Sequence, residues 1–187
     1  SSYVSKAVEM ELVEDGPLRK SLRIKRQQEG STFIQYVRMN ALNDRVECVN
    51  EVDLQTHERM LAVNFPFAFS NANNTYDISL GTIQRGIRSS DEYEVCGHQW
   101  ADHSSTTNRF GVSVLSDCKY GWDKPSDNTL RLTLFHTPST NGNYAYQSSQ
   151  DFGRHVFTYS IAGHQGDYRQ GDVVQKAEIL NQPLQAF

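Results

Sequence analysis

The amino-acid sequence predicts an all-β protein, a large antiparallel β-sandwich with at most one or two short helices. Apolar and polar residues alternate with a period of two through most of the chain, as they do in half-buried strands. Residues that favour chain reversal separate these runs at short intervals. The length of 187 residues fits one domain with a substantial core, so we expect a single domain over residues 1–187.

The run from Arg45 to Leu54 shows the alternation most clearly. Val46 and Cys48 fall on one face of an extended chain, while Arg45 and Glu47 fall on the other. The other runs that predict strands are 18–26, 32–40, 59–67, 75–80, 93–100, 110–115, 130–135 and 155–161. Most of these runs are rich in β-branched or aromatic residues, which favour strands.

Gly, Pro, Asn, Asp and Ser predict where the chain reverses. The predicted turns are 14–17, 29–31, 40–44, 70–74, 124–127 and 139–143, and two longer polar connections cover 103–109 and 137–150. Residues 171–180 predict a helix, because Val173, Ala177 and Leu180 have helical spacing. Asp172 is the expected N-cap.

The composition argues against a nucleic-acid partner, a membrane span and a disulfide framework. The net charge of -4 argues against nucleic acid, which binds clustered basic surface. No run approaches the roughly twenty apolar residues that would span a bilayer, so we expect no membrane span. Three cysteines without metal-ligand spacing do not indicate a disulfide framework, and we expect Cys48 and Cys96 to be small buried hydrophobes.

His98, Asp102 and His103 are the nearest approach to a metal-ligating cluster. His98 and Asp102 would share a face of a helix, but the residues before them predict a strand, so local structure does not supply that geometry. We therefore expect structural hydrogen bonds from these side chains, and a self-contained zinc site is not supported.

Acidic and aromatic residues gather in the middle of the chain and are candidates for sugar contacts. Sugar C–H surfaces pack on aromatic rings while carboxylates bind the hydroxyl groups. The candidates are Trp100, Asp102, Asp117, Lys119, Tyr120 and Trp122, and Asp123 is a further acid predicted at a strand end. Three of these residues have a structural alternative: Trp100 as core, and Asp117 and Asp123 as turn-capping residues.

Several ordered blocks resemble a known family. Residues 94–135 contain a Trp-Ala-Asp turn at 100–102 and an Asp-Cys-Lys-Tyr-Gly-Trp-Asp turn at 117–123. The further blocks are residues 15–24, 52–66, 80–85, 157–164 and 180–184. Together they resemble the C-terminal β-domain of glycoside hydrolase family 38 α-mannosidases. The segment after Arg85 is shorter than is typical of that family.

The resemblance implies a function for a longer parent protein, of which we expect this chain to be a segment. Family members are zinc-dependent retaining α-mannosidases whose N-terminal α/β domain supplies most zinc ligands, the nucleophile and the acid/base. The present chain is similar to the front part of the β-sandwich region, which is related to galactose-mutarotase-like supersandwiches. The resemblance implies no cofactor here, zinc in the parent's catalytic domain, a mannoside substrate, and the parent's catalytic and helical domains as partners.

Three functions remain open from the sequence. The first is a non-catalytic β-domain that helps close the parent's catalytic site, with Asp117, Lys119 and Tyr120 at the rim. The second is an autonomous carbohydrate-binding module that uses Trp100, Tyr120 and Trp122 as a platform. A mutarotase-like enzyme acting through His98 and an acid is the third, and it requires a convergence of side chains that sequence does not show.

Overall fold

The computed structural model describes residue 4 and residues 7–91, 94–139 and 150–184. Within these ranges the chain forms thirteen strands in two antiparallel sheets, with one helix, which confirms the all-β prediction. The elements are β1 (Glu9–Asp15), β2 (Arg19–Gln28), β3 (Ser31–Asn40), β4 (Arg45–Leu54), β5 (Arg59–Pro66), β6 (Asn74–Asp77), β7 (Thr82–Arg85), β8 (Val95–Cys96), β9 (Trp100–Ser104), β10 (Phe110–Ser116), β11 (Gly121–Ser126), β12 (Thr129–Thr137), β13 (Gly153–Gln165) and α1 (Val173–Asn181).

Alternation locates most strands within a few residues. β4 has the predicted bounds, and β3 begins one residue earlier than predicted. The periodicity does not predict β1, β7 or β11. Most residues of β1 and β7 are exposed, so these strands lack the buried face that makes alternation recognisable.

The prediction of one strand over residues 93–100 is wrong in its described part. β8 pairs with β11, whereas β9 begins at Trp100 and pairs with β10 in the other sheet. Between them, the Gly97 N–H donates to the Tyr120 carbonyl at 3.0 Å. The His98 N–H donates to the Asp77 carbonyl at 2.9 Å. The chain therefore crosses from one sheet to the other at Gly97 and His98, and an alternating pattern does not reveal that crossing.

The predicted turn at 124–127 is misplaced. β11 continues to Ser126, and the chain reverses at residues 127–128. The register between β11 and β12 shifts between Asp123 and Ser126, which accommodates Pro125, since proline cannot donate to a strand ladder. The predicted turn at 139–143 and the connection at 137–150 lie mostly outside the described residues.

The chain contacts divide into two compact units. The first unit contains Ser1–Leu61 and Phe135–Thr158. Its sheet has the order β1-β2-β3-β4 followed by the beginning of β13. Cys48, Val52 and Leu54 of β4 are buried, which confirms the prediction for Cys48.

The second unit contains Ala62–Leu134 and Tyr159–Phe187. The end of β13 pairs with β10, β10 with β9, β9 with β6 and β6 with β7. The second sheet has the order β5-β12-β11-β8. Trp100, Leu115, Val173 and Ala177 form a buried cluster that attaches α1 to β9 and β10. The single domain over residues 1–187 stays a prediction.

The helix forms close to where it is predicted. Asp172 is its N-cap residue, which confirms the prediction, although its side chain makes no capping hydrogen bond. The Asp172 backbone is left-handed, with φ at 52°, rather than the extended conformation from which a side chain usually caps. Cys96 is exposed, contrary to prediction. Within the described ranges, no helix combines the length and the apolar character that a membrane span requires.

Candidate functional site

Both tryptophans predicted as sugar platforms are covered by protein. Trp100 has 2% of its surface exposed and packs on the ring of Tyr168 with centroids 5.0 Å apart. Trp122 is fully buried and meets Tyr76 edge-on at 6.4 Å. A Cβ on Gly97 would lie 2.8 Å from Trp122 Cδ1, so the indole fits there because residue 97 has no side chain. The prediction of Trp100 as core is confirmed, and neither indole presents an open face to a sugar.

Asp102 on β9 is a buried carboxylate whose two oxygens both accept hydrogen bonds. Its Oδ1 accepts from the Ser113 hydroxyl at 2.6 Å and from His164 Nε2 at 2.7 Å. Its Oδ2 accepts from the Ser104 hydroxyl at 2.6 Å. A buried charge is tolerated when it is paired and hydrogen-bonded in this way, so the expected structural role of Asp102 is confirmed.

His164 on β13 is the charge partner of Asp102, and both side chains are almost fully buried. Burial alone would lower the pKa of His164, but the hydrogen bond and the negative charge of Asp102 outweigh burial and raise it above 6.5. The ring lies between two glycines. A Cβ on Gly111 would lie 2.5 Å from His164 Cε1, and one on Gly171 would lie 2.5 Å from Cγ. These two glycines therefore make the room in which the ion pair forms.

His98, Asp102 and His103 do not converge on a metal. His103 Nδ1 contacts Asn74 Oδ1 at 2.7 Å, and its Nε2 lies 3.1 Å from the Phe69 carbonyl. Burial lowers the pKa of His103, which favours the neutral ring. His98 instead contacts the Ser79 hydroxyl at 2.5 Å. Across the ranges that the structure describes, no three His, Cys, Asp or Glu side chains are placed to hold a metal ion.

The turn from Asp117 to Tyr120 is the part of the predicted rim that reaches the surface. Asp117 and Lys119 are half-buried, and Tyr120 is 50% exposed. The Lys119 N–H donates to the Ser116 hydroxyl at 3.0 Å, which shapes the turn. Cys118 is exposed as a residue, but partial desolvation of its thiol and the neighbouring Asp117 raise its pKa to about 11, so this cysteine is a poor nucleophile. A substrate-rim role for this turn stays a prediction.

Asp123 lies inside β11 rather than at a strand end. It is buried, and its Oδ2 pairs with Arg131 and, at 3.3 Å, with Arg88 Nη1. The turn-capping alternative for Asp123 is wrong, because its contacts are ion pairs to residues remote in sequence.

A polar cleft of about 340 Å³, which the sequence does not reveal, opens beside Asp102. Its wall carries four side-chain amides, one aromatic ring and one guanidinium, beside the hydroxyls of Thr75, Thr82 and Ser104 and the carboxylates of Asp102 and Asp167. The amides, the ring and the guanidinium belong to Asn71, Asn73, Gln84, Asn108, Tyr168 and Arg169. Amides both donate and accept hydrogen bonds, so this wall matches the chemistry of a ligand rich in hydroxyl groups. The contributing segments are far apart in sequence, so no local motif could have identified the cleft.

The two antiparallel sheets place the chain among the all-β domains. Within that class, the sequence profile described as "Glycosyl hydrolases family 38 C-terminal domain" matches residues 1–143. The chain therefore belongs to glycosyl hydrolase family 38, as the resemblance of its blocks indicates.

Similar proteins agree with this assignment. The chain is 34% identical over 142 residues to "Alpha-mannosidase 2C1" of Mus musculus, which covers 73% of this chain and 13% of that protein. It is 28% identical over 180 residues to "Alpha-mannosidase G" of Dictyostelium discoideum, with 91% and 16% covered. A solved structure of a family 38 protein from Enterococcus faecalis has a TM-score of 0.81 at 15% identity and covers 94% of this chain and 25% of that one. The chain thus spans a small part of the length of its curated relatives.

Proposed function

We propose that this chain is the non-catalytic β-domain of a retaining, zinc-dependent exo-α-mannosidase that removes terminal α-mannosides. Its relatives carry the name α-mannosidase, and the chain matches only 13% to 16% of their length. The proposed partners are therefore the parent's catalytic and helical domains, which this β-domain contacts and whose active site it helps to close. Asp117, Lys119 and Tyr120 are the proposed rim residues.

An uncovered apolar sheet face in the first unit carries this proposal. Met10 of β1 pairs with Ile24 of β2, and Leu12 pairs with Leu22, so these side chains share one face. Ile24 is 8% exposed, whereas Met10 and Leu12 are 60% and 54% exposed. The face is thus covered at β2 and uncovered towards β1. Contiguous exposed apolar surface is typical of an interface, and the parent's remaining domains are its proposed occupant.

Zinc does not fit the described residues of this chain. Asp102 and His164 are the nearest ligand pair, but they bind each other, Asp102 also accepts from two serine hydroxyls, and no third ligand joins them in the described ranges. The proposal therefore assigns zinc, the nucleophile and the acid/base to the parent's catalytic domain, and no chemical step to this chain.

The enzymatic part of the proposal is tested with an aryl α-mannoside. The purified 187-residue chain should release no aryl alcohol above a buffer blank, with or without added zinc. Turnover that a chelator abolishes and zinc restores would contradict the non-catalytic assignment.

The packing part is tested with the double variant Met10→Glu, Leu12→Glu. In the longer enzyme this change should lower thermal stability and activity, because two charges would be buried at the interface. In the isolated chain it should reduce binding of an apolar dye. Val156→Glu is the matched control, since Val156 is also an exposed strand residue of the first unit. Unchanged stability and activity of the double variant in the longer enzyme would contradict the docking role of this face.

The alternative, an autonomous carbohydrate-binding module, is favoured by one observation, the amide-lined cleft. Tyr168 lines that cleft and packs on Trp100, so tryptophan emission should report a bound sugar. Mannose or α-mannobiose should then give a saturable change that Asn108→Ala weakens. The control Gln175→Ala alters an exposed amide on α1 and should not affect it. No saturable change would eliminate this alternative.

A further inference from the structure

A second cavity in the second unit combines positive charge with unmet hydrogen-bonding groups. It has a volume of about 170 Å³, half that of the amide-lined cleft. The side chains that matter for its chemistry are those of Arg85, Arg88, Trp122, Asp123 and Lys124.

The cavity wall carries three cations and one carboxylate. Lys124 is 2% exposed, and its Nζ donates to the Asp127 carbonyl at 3.0 Å, which uses one of its three protons. Burial lowers the pKa of Lys124 to about 8, so it is mostly charged at pH 7. Asp123 offsets one charge, and its Oδ2 is shared between Arg88 of the wall and Arg131, which does not line the cavity. The wall therefore has an excess of positive charge.

Two residues that line the cavity each have a buried polar atom without a partner in the described part of the chain. One is Trp122 Nε1, which can only donate, and the other is Asp123 Oδ1, which as a carboxylate can only accept. Leaving such atoms unsatisfied is costly, because each loses its hydrogen bonds to water on burial and gains none in return. A ligand that satisfies both must offer an acceptor and a donor, and the three cations require it to be an anion.

Hydrogen phosphate meets these three requirements. Its unprotonated oxygens accept from arginine, lysine and indole donors, and its P–O–H group donates to a carboxylate oxygen. Sulfate has no proton to donate at neutral pH, so it would place an oxygen lone pair against Asp123. The dianion of a phosphate monoester has the same defect.

We propose that this cavity is a binding site for inorganic phosphate, with Arg85, Arg88, Lys124 and Trp122 as donors and Asp123 Oδ1 as the acceptor of the phosphate hydroxyl. The site is independent of the mannosidase assignment. It requires no covalent step, since the anion is bound and released unchanged.

Thermal unfolding of the 187-residue chain at pH 7.5, at constant ionic strength, tests the proposal. Phosphate should raise Tm in a saturable manner, since a ligand that binds the folded state stabilises it, while sulfate and methyl phosphate should have much smaller effects. Tryptophan emission should change over the same phosphate range, because the Trp122 indole lines the site.

Variants connect the effect to this cavity. Arg88→Gln and Lys124→Met should each weaken phosphate binding about tenfold or more, which corresponds to about 1.4 kcal/mol. Arg109→Gln, a change at an exposed arginine of the same unit, should not weaken it. Asp123→Asn should remove the preference over sulfate, and if that variant does not fold, the Arg88 and Lys124 variants still decide the location.

Three results would overturn the proposal. The first is that phosphate neither raises Tm nor alters emission. The second is equal stabilisation of the wild-type chain by sulfate, which would remove the role of Asp123 as acceptor. The third is a loss of affinity in Arg109→Gln as large as in Arg88→Gln, which would indicate general charge screening.

Discussion

Asp102 and Asp123 are both buried aspartates of the second unit, yet their surroundings differ. Each oxygen of Asp102 accepts from a serine or from His164, so its hydrogen bonds are complete within the chain. Asp123 instead directs Oδ2 to two arginines, while Oδ1 has no partner among the described residues. Burial of a carboxylate therefore does not by itself identify a binding site. The unsatisfied oxygen beside surplus positive charge distinguishes Asp123 from the closed pair of Asp102.

Asp102→Ala should give the largest loss of stability. It removes one partner of a buried pair and leaves His164 and two serine hydroxyls unsatisfied, which costs about 3–5 kcal/mol in comparable cases. Urea unfolding measures the loss. Asp172→Asn is the control, because the Asp172 side chain makes no capping bond, and it should change stability by less than about 0.5 kcal/mol. A loss below about 1 kcal/mol for Asp102→Ala would show that the pair contributes little.

Asp123→Ala should cost less, about 1–2 kcal/mol, which sharpens the contrast between the two acids. The arginines that it releases are both partly exposed and can be solvated, and the unsatisfied Oδ1 disappears with the carboxylate. The same urea measurement compares the two variants. If Asp123→Ala destabilised the chain as much as Asp102→Ala, the difference drawn between the two sites would be wrong.

Gly111→Ala tests whether the space beside the His164 ring is needed for its ion pair with Asp102. The new Cβ would approach the imidazole to within 2.5 Å, so the ring or the strand must move, at a cost of about 1–3 kcal/mol at most. Gly163→Ala on β13 is the matched control, because a Cβ there meets no atom within 4 Å. Equal unfolding midpoints for the two variants would contradict the steric role of Gly111.

The pH dependence of stability should show the smallest effect. The folded pKa of His164 is raised, so its contribution is present below its unfolded pKa of about 6.5 and is lost as pH rises through the folded pKa. The stability difference between the wild type and His164→Gln should therefore shrink from pH 5.5 to pH 8.5. The pKa of His103 is lowered, so its effect on stability should have the opposite pH dependence: its contribution is present above pH 6.5 and is lost as the pH falls below that value. A difference that grows with pH would refute the pairing of His164.

Prediction from sequence succeeds where the cause is local. The alternation around Cys48 predicts β4 with its observed bounds, because a strand buried on one face needs an apolar residue at every second position. The same alternation fails at Gly97 and His98, where the chain changes sheets through backbone bonds to Tyr120 and Asp77. It also misses β1, because most residues of that strand are exposed and no buried face imposes an alternating pattern on them.

The sequence alone therefore determined the all-β class, most strands, the helix near the C-terminus and the family. These depend on periodicity, turn chemistry and ordered motifs, which lie along the chain. The tertiary structure decided that both oxygens of Asp102 have hydrogen-bond partners, whereas one oxygen of Asp123 has none among the described residues. The Asp102–His164 contact spans 62 positions, and the cavity beside Asp123 brings Lys124 together with Arg85 and Arg88, which belong to an earlier segment. Hydrogen bonds and charges act through space, so their balance is settled only when the strands are in register.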